Sequence, residues 1–195
     1  MPLGASVAEL NRTNCVALLL RAFQSNQTVK ALVFMPGATD EFYMFRRAKA
    51  NLTNASPMLL DAVSALTNQT FIRATFQPPL LLLHTDEDPL EPWIQIEDQA
   101  AVEKLKTKRL PPHVIYNDRD WDFLQPILKR ALKVELRPWR YSRGSWHFYR
   151  HSFVGWNLSG WEALEAVMAA GKTRLTIRRK QLIFEPDMRV RAAPR

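Results

Sequence analysis

Asn157-Leu158-Ser159-Gly160-Trp161-Glu162-Ala163-Leu164-Glu165-Ala166-Val167-Met168-Ala169-Ala170-Gly171, running on into Arg174-Leu175-Thr176-Ile177 and Gln181-Leu182-Ile183-Phe184, decides the fold. Ser159 is an N-cap residue, because its hydroxyl can accept from a free N–H of the first turn. Trp161, Leu164, Val167 and Met168 then recur at helical spacing and form one apolar face. Gly171 reads as the C′ residue that ends the helix. Thr173–Arg179 alternates Leu175 and Ile177 with Thr and Arg, the period of a half-buried strand. Lys180-Gln181 is the turn, and Leu182–Glu185 is the last strand. A helix followed at once by a hairpin is therefore expected at this end of the chain.

Upstream, Val114–Tyr116 reads as a short strand. A helix through Leu132 is expected, capped by Asp118 or Asp120 and kinked at Pro126. Lys133–Arg140 and Ser145–Val154 read as strands joined at Ser142-Arg143-Gly144. The first half repeats the order. Cys15–Gln24 is a short apolar helix behind Asn14, Val29–Met35 a strand ending at Pro36-Gly37, and Phe42–Ala50 an alternating strand. Ser56–Leu66 is a helix with Pro57 at its first position. Phe71–Phe76 is a strand broken by Pro78-Pro79, and Leu80–His84 is a buried strand. Phe42-Tyr43-Met44-Phe45-Arg46 lies over Trp146-His147-Phe148-Tyr149-Arg150, and Asp61-Ala62-Val63 over Glu165-Ala166-Val167. The expected fold class is α+β: two tandem small modules, each (β)αββαββ, with helices packed on one face of a mixed sheet.

Between the copies, Thr85–Pro92 is acidic, Pro-containing and without apolar period, hence a turn or linker. Glu97–Lys108 places acids first and bases last, as a helix dipole favours, and Pro111-Pro112 closes it. The expected division is a first module at 1–88, a linker with a short helix at 89–112, a second module at 113–188 and a tail at 189–195. The chain has 195 residues and net charge +8, with 47% apolar residues, enough for a buried core. The charge is uneven. Residues 1–98 hold 7 Lys+Arg against 10 Asp+Glu, about −3, and residues 99–195 hold 20 against 9, about +11.

The helix-hairpin stretch 157–184 resembles the secretin and TonB N-terminal short domain, whose pattern is a strand, a polar cap, a helix around Glu-Ala-Leu, a Gly and a strand hairpin. Asn54–Val63 through Phe71–Leu83 is a looser second match. The resemblance implies a non-enzymatic module of the bacterial cell envelope, one that packs on its own kind or binds a partner protein at a secretion channel or receptor. It also implies a periplasmic or envelope location. Met1–Ser6 has neither a basic n-region nor an apolar h-region, so no secretory signal is expected, and a cytoplasmic location is the alternative.

The most distinctive surface signal is Trp139-Arg140-Tyr141-Ser142-Arg143-Gly144-Ser145-Trp146-His147-Phe148-Tyr149-Arg150-His151. The expected contact residues are Trp139, Arg140, Tyr141, Arg143, Trp146, Phe148 and Arg150. Trp and Arg are common anchors of protein interfaces. Interleaved aromatics and bases also suit stacking on nucleobases. Nucleic-acid binding by an RNA-recognition-like strand is therefore the alternative function, although the Arg-Gly-aromatic-small-aromatic order is broken at Ser145-Trp146-His147.

No enzymatic centre is expected. His147 and His151 would lie about 13 Å apart on a strand, too far for one metal, and His84 and His113 have no neighbouring ligands in the sequence. Gly171-Lys172-Thr173 lacks the earlier Gly of a phosphate loop, with Ala166 in its place, and follows a helix rather than preceding one. Cys15, the only cysteine, has apolar neighbours and reads as a structural thiol, which leaves no disulfide and no cysteine-based zinc site. Asp118, Asp120 and Asp122 read as capping and solvated acids. Asn-x-Ser/Thr occurs at Asn11, Asn26, Asn51, Asn54, Asn68 and Asn157; Asn54 and Asn157 stand immediately before expected helices, where capping accounts for some of these sites but not for their full number. No cofactor, metal, membrane span or small-molecule substrate is expected. A protein partner or self-association is.

Overall fold

The computed structural model describes residues 28–35, 50–51, 58–84, 93–110, 113–119, 129–130, 133, 135–138, 151–171, 173–179 and 181–186. The protein is α+β, and the chain divides into two compact units, 1–89 and 90–195. No helix among the described residues is long and apolar enough to cross a membrane, which leaves β-barrels unaddressed.

In the first unit the order is β1 (Ala31–Met35), α1 (Leu59–Gln69), β2 (Arg73–Gln77) and β3 (Leu80–His84). β3 lies between the other two strands. It runs parallel to β1, with Ala31 opposite Leu80, and antiparallel to β2, with Gln77 opposite Leu80. All five residues of β3 are buried, as expected of a central strand covered on both faces. α1 buries Leu59, Ala62 and Leu66, one stripe at helical spacing.

The helix begins three residues later than the expected Ser56, because Asp61 in the first turn accepts from the Met58 N–H at 2.7 Å and fixes Met58 as the entry residue. It ends at Thr70, whose hydroxyl donates to Leu66 O at 2.7 Å and accepts from the Ile72 N–H at 3.1 Å. That turn takes up Phe71, so β2 starts at Arg73 rather than at Phe71. The Pro78-Pro79 turn separates β2 from β3 as expected. The helix expected at 15–24 and residues 42–49 of the strand expected at 42–50 lie outside the described residues.

The second unit contains β4 (Ile94–Ile96), α2 (Gln99–Thr107), β5 (His113–Arg119), β6 (Glu135–Pro138), β7 (His151–Trp156), α3 (Gly160–Gly171), β8 (Thr173–Arg178) and β9 (Gln181–Pro186). Four strands form a mixed sheet in the order β4-β8-β9-β6. β8 and β9 make the expected hairpin, while β6 runs parallel to β9 and β4 parallel to β8. β5 and β7 pair antiparallel, with an irregularity between Tyr116 and Arg119. Asp118 lies inside β5, so it does not cap a helix.

Residues 94–110, expected within a linker, are built into this unit. Ile94-Gln95-Ile96 is too short for its period to show in sequence, yet it pairs with β8. α2 is capped by Asp98, whose carboxylate accepts from the Ala101 N–H at 3.0 Å. The buried residues of α2 are Ala101, Val102 and Leu105, and the helix packs on α3. The exit is tied down as well. Lys108 O accepts from Gly160 N–H at 2.8 Å and Leu158 O accepts from Leu110 N–H at 2.9 Å.

α3 starts with a reciprocal box. Ser159 Oγ accepts from the Glu162 N–H at 3.1 Å, and Glu162 Oε2 accepts from the Ser159 N–H at 2.7 Å. The helix runs through Gly171 instead of stopping before it, and β8 opens two residues later. It touches β7, β8 and α2. Being enclosed on several sides, it is built from small residues: Ala163, Ala166, Ala169 and Ala170 are all buried.

Candidate functional site

The expected contact residues Trp139, Arg140, Tyr141, Arg143, Trp146, Phe148 and Arg150 lie outside the described residues. Of the same stretch only His151 is placed, as the first residue of β7. What the structure does build is the outer face of the sheet β4-β8-β9.

Its logic is the two-residue period of strands. Leu175 and Ile177 of β8, and Leu182 and Phe184 of β9, point into the core and are 1% exposed or less. The alternate residues Arg174, Thr176 and Arg178, with Gln181, Ile183 and Glu185, therefore form the opposite face. The ladder sets Arg174 opposite Glu185, Thr176 opposite Ile183, and Arg178 opposite Gln181. β4 adds Gln95 beside Thr176, and the same alternation puts Trp93 and Glu97 at its two ends.

Two cations organise this face, and each is already engaged. The Arg174 guanidinium lies over the Trp93 ring at 4.2 Å from its centroid and meets Glu185 Oε2 at 3.4 Å. Among the described residues its Nε has no hydrogen-bond partner. Arg178 Nε meets Glu97 Oε2 at 3.2 Å, and Gln95 Nε2 donates to Glu97 Oε1 at 3.2 Å. The Arg174 side chain is 27% exposed and that of Arg178 56%. Trp93 itself is 47% exposed. The face thus offers a flat aromatic plate and two ion-paired guanidinium groups, a surface suited to polar and aromatic contact. Among the described residues no three His, Cys, Asp or Glu side chains converge as a metal site.

A second polar cluster lies at the N-terminus of α3. Trp161 Nε1 donates to Glu165 Oε1 at 2.8 Å. Burial pushes the Glu165 carboxyl up from its ordinary value, the Trp161 bond pulls the other way, and the neighbouring Glu162 adds to the rise. Arg109 reaches Glu162 Oε2 at 3.9 Å. Nearby, burial and the positive Lys133 lower the Lys108 ammonium. Residue type alone does not distinguish Arg174, Arg178 and Trp93 from the other arginines and tryptophans of the chain. The alternation of Thr173–Arg179 already assigned the two arginines to one face, but Trp93 stood in a stretch read as linker. Its place beside β8 comes from the ladder alone, with Trp93 O accepting from Leu175 N–H at 3.1 Å.

Comparison with protein-family models, with curated proteins and with solved structures finds no match in any of the three.

Proposed function

We propose that this chain is a non-enzymatic tandem module of the bacterial cell envelope, built of two related α+β units, that works by binding another protein, in the manner of the secretin and TonB N-terminal short domains. The observation that carries this reading is a repeat of strand order. β1, α1, β2 and β3 are matched in the second unit by β6, α3, β8 and β9, with β7 standing between β6 and α3. In each set the hairpin follows the helix within four residues. In each the upstream strand runs parallel to the second hairpin strand, which lies between the other two. A strand, a capped helix and a hairpin are also the elements of that family's pattern. The tandem reading makes each unit one copy, with β4 and α2 added before the second.

The aromatic and basic stretch 139–151 is the contact surface of this reading, and the Trp93–Arg174 plate is a second anchor in the same unit. The test is capture of a partner by the full chain from bacterial envelope extracts. Replacing Arg140, Arg143, Trp146 and Arg150 together by Ala should abolish capture and leave Tm within a few degrees of the parent. Undiminished capture would refute the assignment of the surface. The alternative, RNA-recognition-like nucleic-acid binding through the same basic aromatic strand 139–151, also draws on the charge. Residues 90–195 hold 20 Lys+Arg against 12 Asp+Glu. Phosphate-driven binding falls steeply with salt, so failure to bind single-stranded RNA at about 50 mM salt removes that alternative.

A further inference from the structure

The geometry points to the free edge of β4 as a self-association site, where a second copy of this chain adds its own β4 antiparallel about a two-fold axis at Gln95. This deepens the protein-contact reading by naming a second copy of this chain as the occupant of one edge, and it fails separately from that reading, since the test of the 139–151 surface does not involve β4.

The backbone comes first. Trp93 O accepts from Leu175 N–H, and Glu97 N–H donates to Ile177 O at 2.8 Å. In a parallel ladder alternate residues turn both their polar groups toward the neighbour. Trp93, Gln95 and Glu97 therefore address β8, and the N–H and C=O of Ile94 and Ile96 point the other way. Among the described residues β4 is the last strand on that side of its sheet. Natural edges are commonly blunted by shortness, charge or proline; β4 is only three residues long, with Pro92 before it and Glu97 after it, but Ile94-Gln95-Ile96 itself carries no charge and no proline.

A two-fold axis through Gln95 sets Ile94 of one copy opposite Ile96 of the other. Both residues carry outward groups, so each such pair exchanges two hydrogen bonds, as an antiparallel ladder requires. The side chains agree on both faces. Ile94 and Ile96 are level with Leu175 and Ile177 on the core face, yet Ile96 is 43% exposed because the sheet ends there. The second copy covers that apolar margin with the same two residues. On the outer face Gln95 meets its own copy, and Trp93 with its stacked Arg174 meets Glu97 of the other chain. The Glu97 carboxylate of one copy thereby lies beside the Trp93–Arg174 stack of the other twice, once at each end of the short ladder, while Glu97 and Arg174 keep Arg178 and Glu185 as partners within their own chain. Three residues make a small interface, so the association is weak.

Sedimentation of the full chain tests it. Its average mass should rise from 22.5 kDa toward twice that value between about 10 and about 500 µM, the range of weak contacts. Ile96→Pro removes an outward N–H and leaves the ladder to β8 intact, so it should hold the chain monomeric with its Tm retained. A second variant covers loss of folding. Gln95→Cys in a Cys15→Ser background should cross-link to dimer on mild oxidation, because directly opposed residues of a non-hydrogen-bonded pair lie about 4.5 Å apart, within disulfide reach. Trp93→Cys should not. A chain that stays monomeric throughout with no Gln95→Cys dimer overturns the proposal. So does a dimer that survives Ile96→Pro, or a monomer that takes up only an unrelated extended peptide at this edge.

Discussion

α1 and α3 occupy matching places in their units, each just before a hairpin, but they are buried very differently. α1 covers one stripe, Leu59, Ala62 and Leu66, and leaves Leu60 73% exposed. α3 buries nine of its twelve residues. The strands show the opposite contrast. β3 is buried at every position, whereas β8 alternates buried and open residues along its length. In the first unit the central strand is the enclosed element; in the second the helix is, packed by β7, β8 and α2. An enclosed helix has to be slim, hence its alanines. An enclosed strand needs no alternation, hence Leu80-Leu81-Leu82-Leu83. The second sheet keeps an open face, which is where its arginines and Trp93 stand.

Adding volume to the two helices breaks this comparison most sharply. Ala166→Leu in α3 should destabilise by about 1–3 kcal/mol through overpacking. Ser64→Leu on the exposed side of α1 should stay within about 0.5 kcal/mol. Both are read from urea unfolding. All six tryptophans follow residue 90, so their fluorescence follows the second unit, and circular dichroism follows the whole chain. Equal effects would mean that the two helices are not differently enclosed.

Capping gives the next largest effect. α3 has the full reciprocal box and α1 only the carboxylate half, from Asp61 to Met58 N–H. Ser159→Ala should cost about 0.5–2 kcal/mol; Asp61→Ala also removes one hydrogen bond but should cost less, because the Met58 N–H lies close to solvent whereas Ser159 is buried. A larger loss at Asp61 would reverse the ranking of the two helix starts.

The smallest effect is a pH dependence confined to the second unit. Glu165 has its carboxyl raised by burial. For such a group the folded form binds its proton more tightly than the unfolded chain does. The contribution to stability is complete below the unfolded value, near 4.5, and is lost as pH rises through the folded value. Glu165→Gln keeps an acceptor for Trp161 Nε1 and removes the titration. The variant should lose the part of the parent's decline in tryptophan-detected stability that sets in above about pH 4.5. An unchanged profile would place the titration elsewhere.

Several elements were legible because their determinants are local. Ser159 before an apolar helical face, the alternation at 173–178, the run Leu80–His84 and the break at Pro78-Pro79 each depend on neighbours within a few residues. β4 and the α2 segment were not legible as part of a unit. Ile94-Gln95-Ile96 has no periodicity of its own, and its strand character comes from the ladder to β8, some eighty residues away. The same holds for Trp93, whose role as the plate beneath Arg174 depends on that pairing. Its absorption into the second unit also redraws the charge. With the division at residue 90, residues 1–89 hold 7 Lys+Arg and 7 Asp+Glu, so the first unit is neutral and the second carries the full +8.

The sequence by itself determined the α+β class, the two helix-hairpin stretches and the inward and outward faces of β8, because caps, turns and period are properties of short stretches. Tertiary structure decided which of those faces is covered, that the stretch before residue 110 is a strand and helix rather than a connector, and that Arg174 and Arg178 stand neutralised beside Glu185 and Glu97. Those outcomes depend on contacts between residues distant in the chain, whose energies no local pattern encodes.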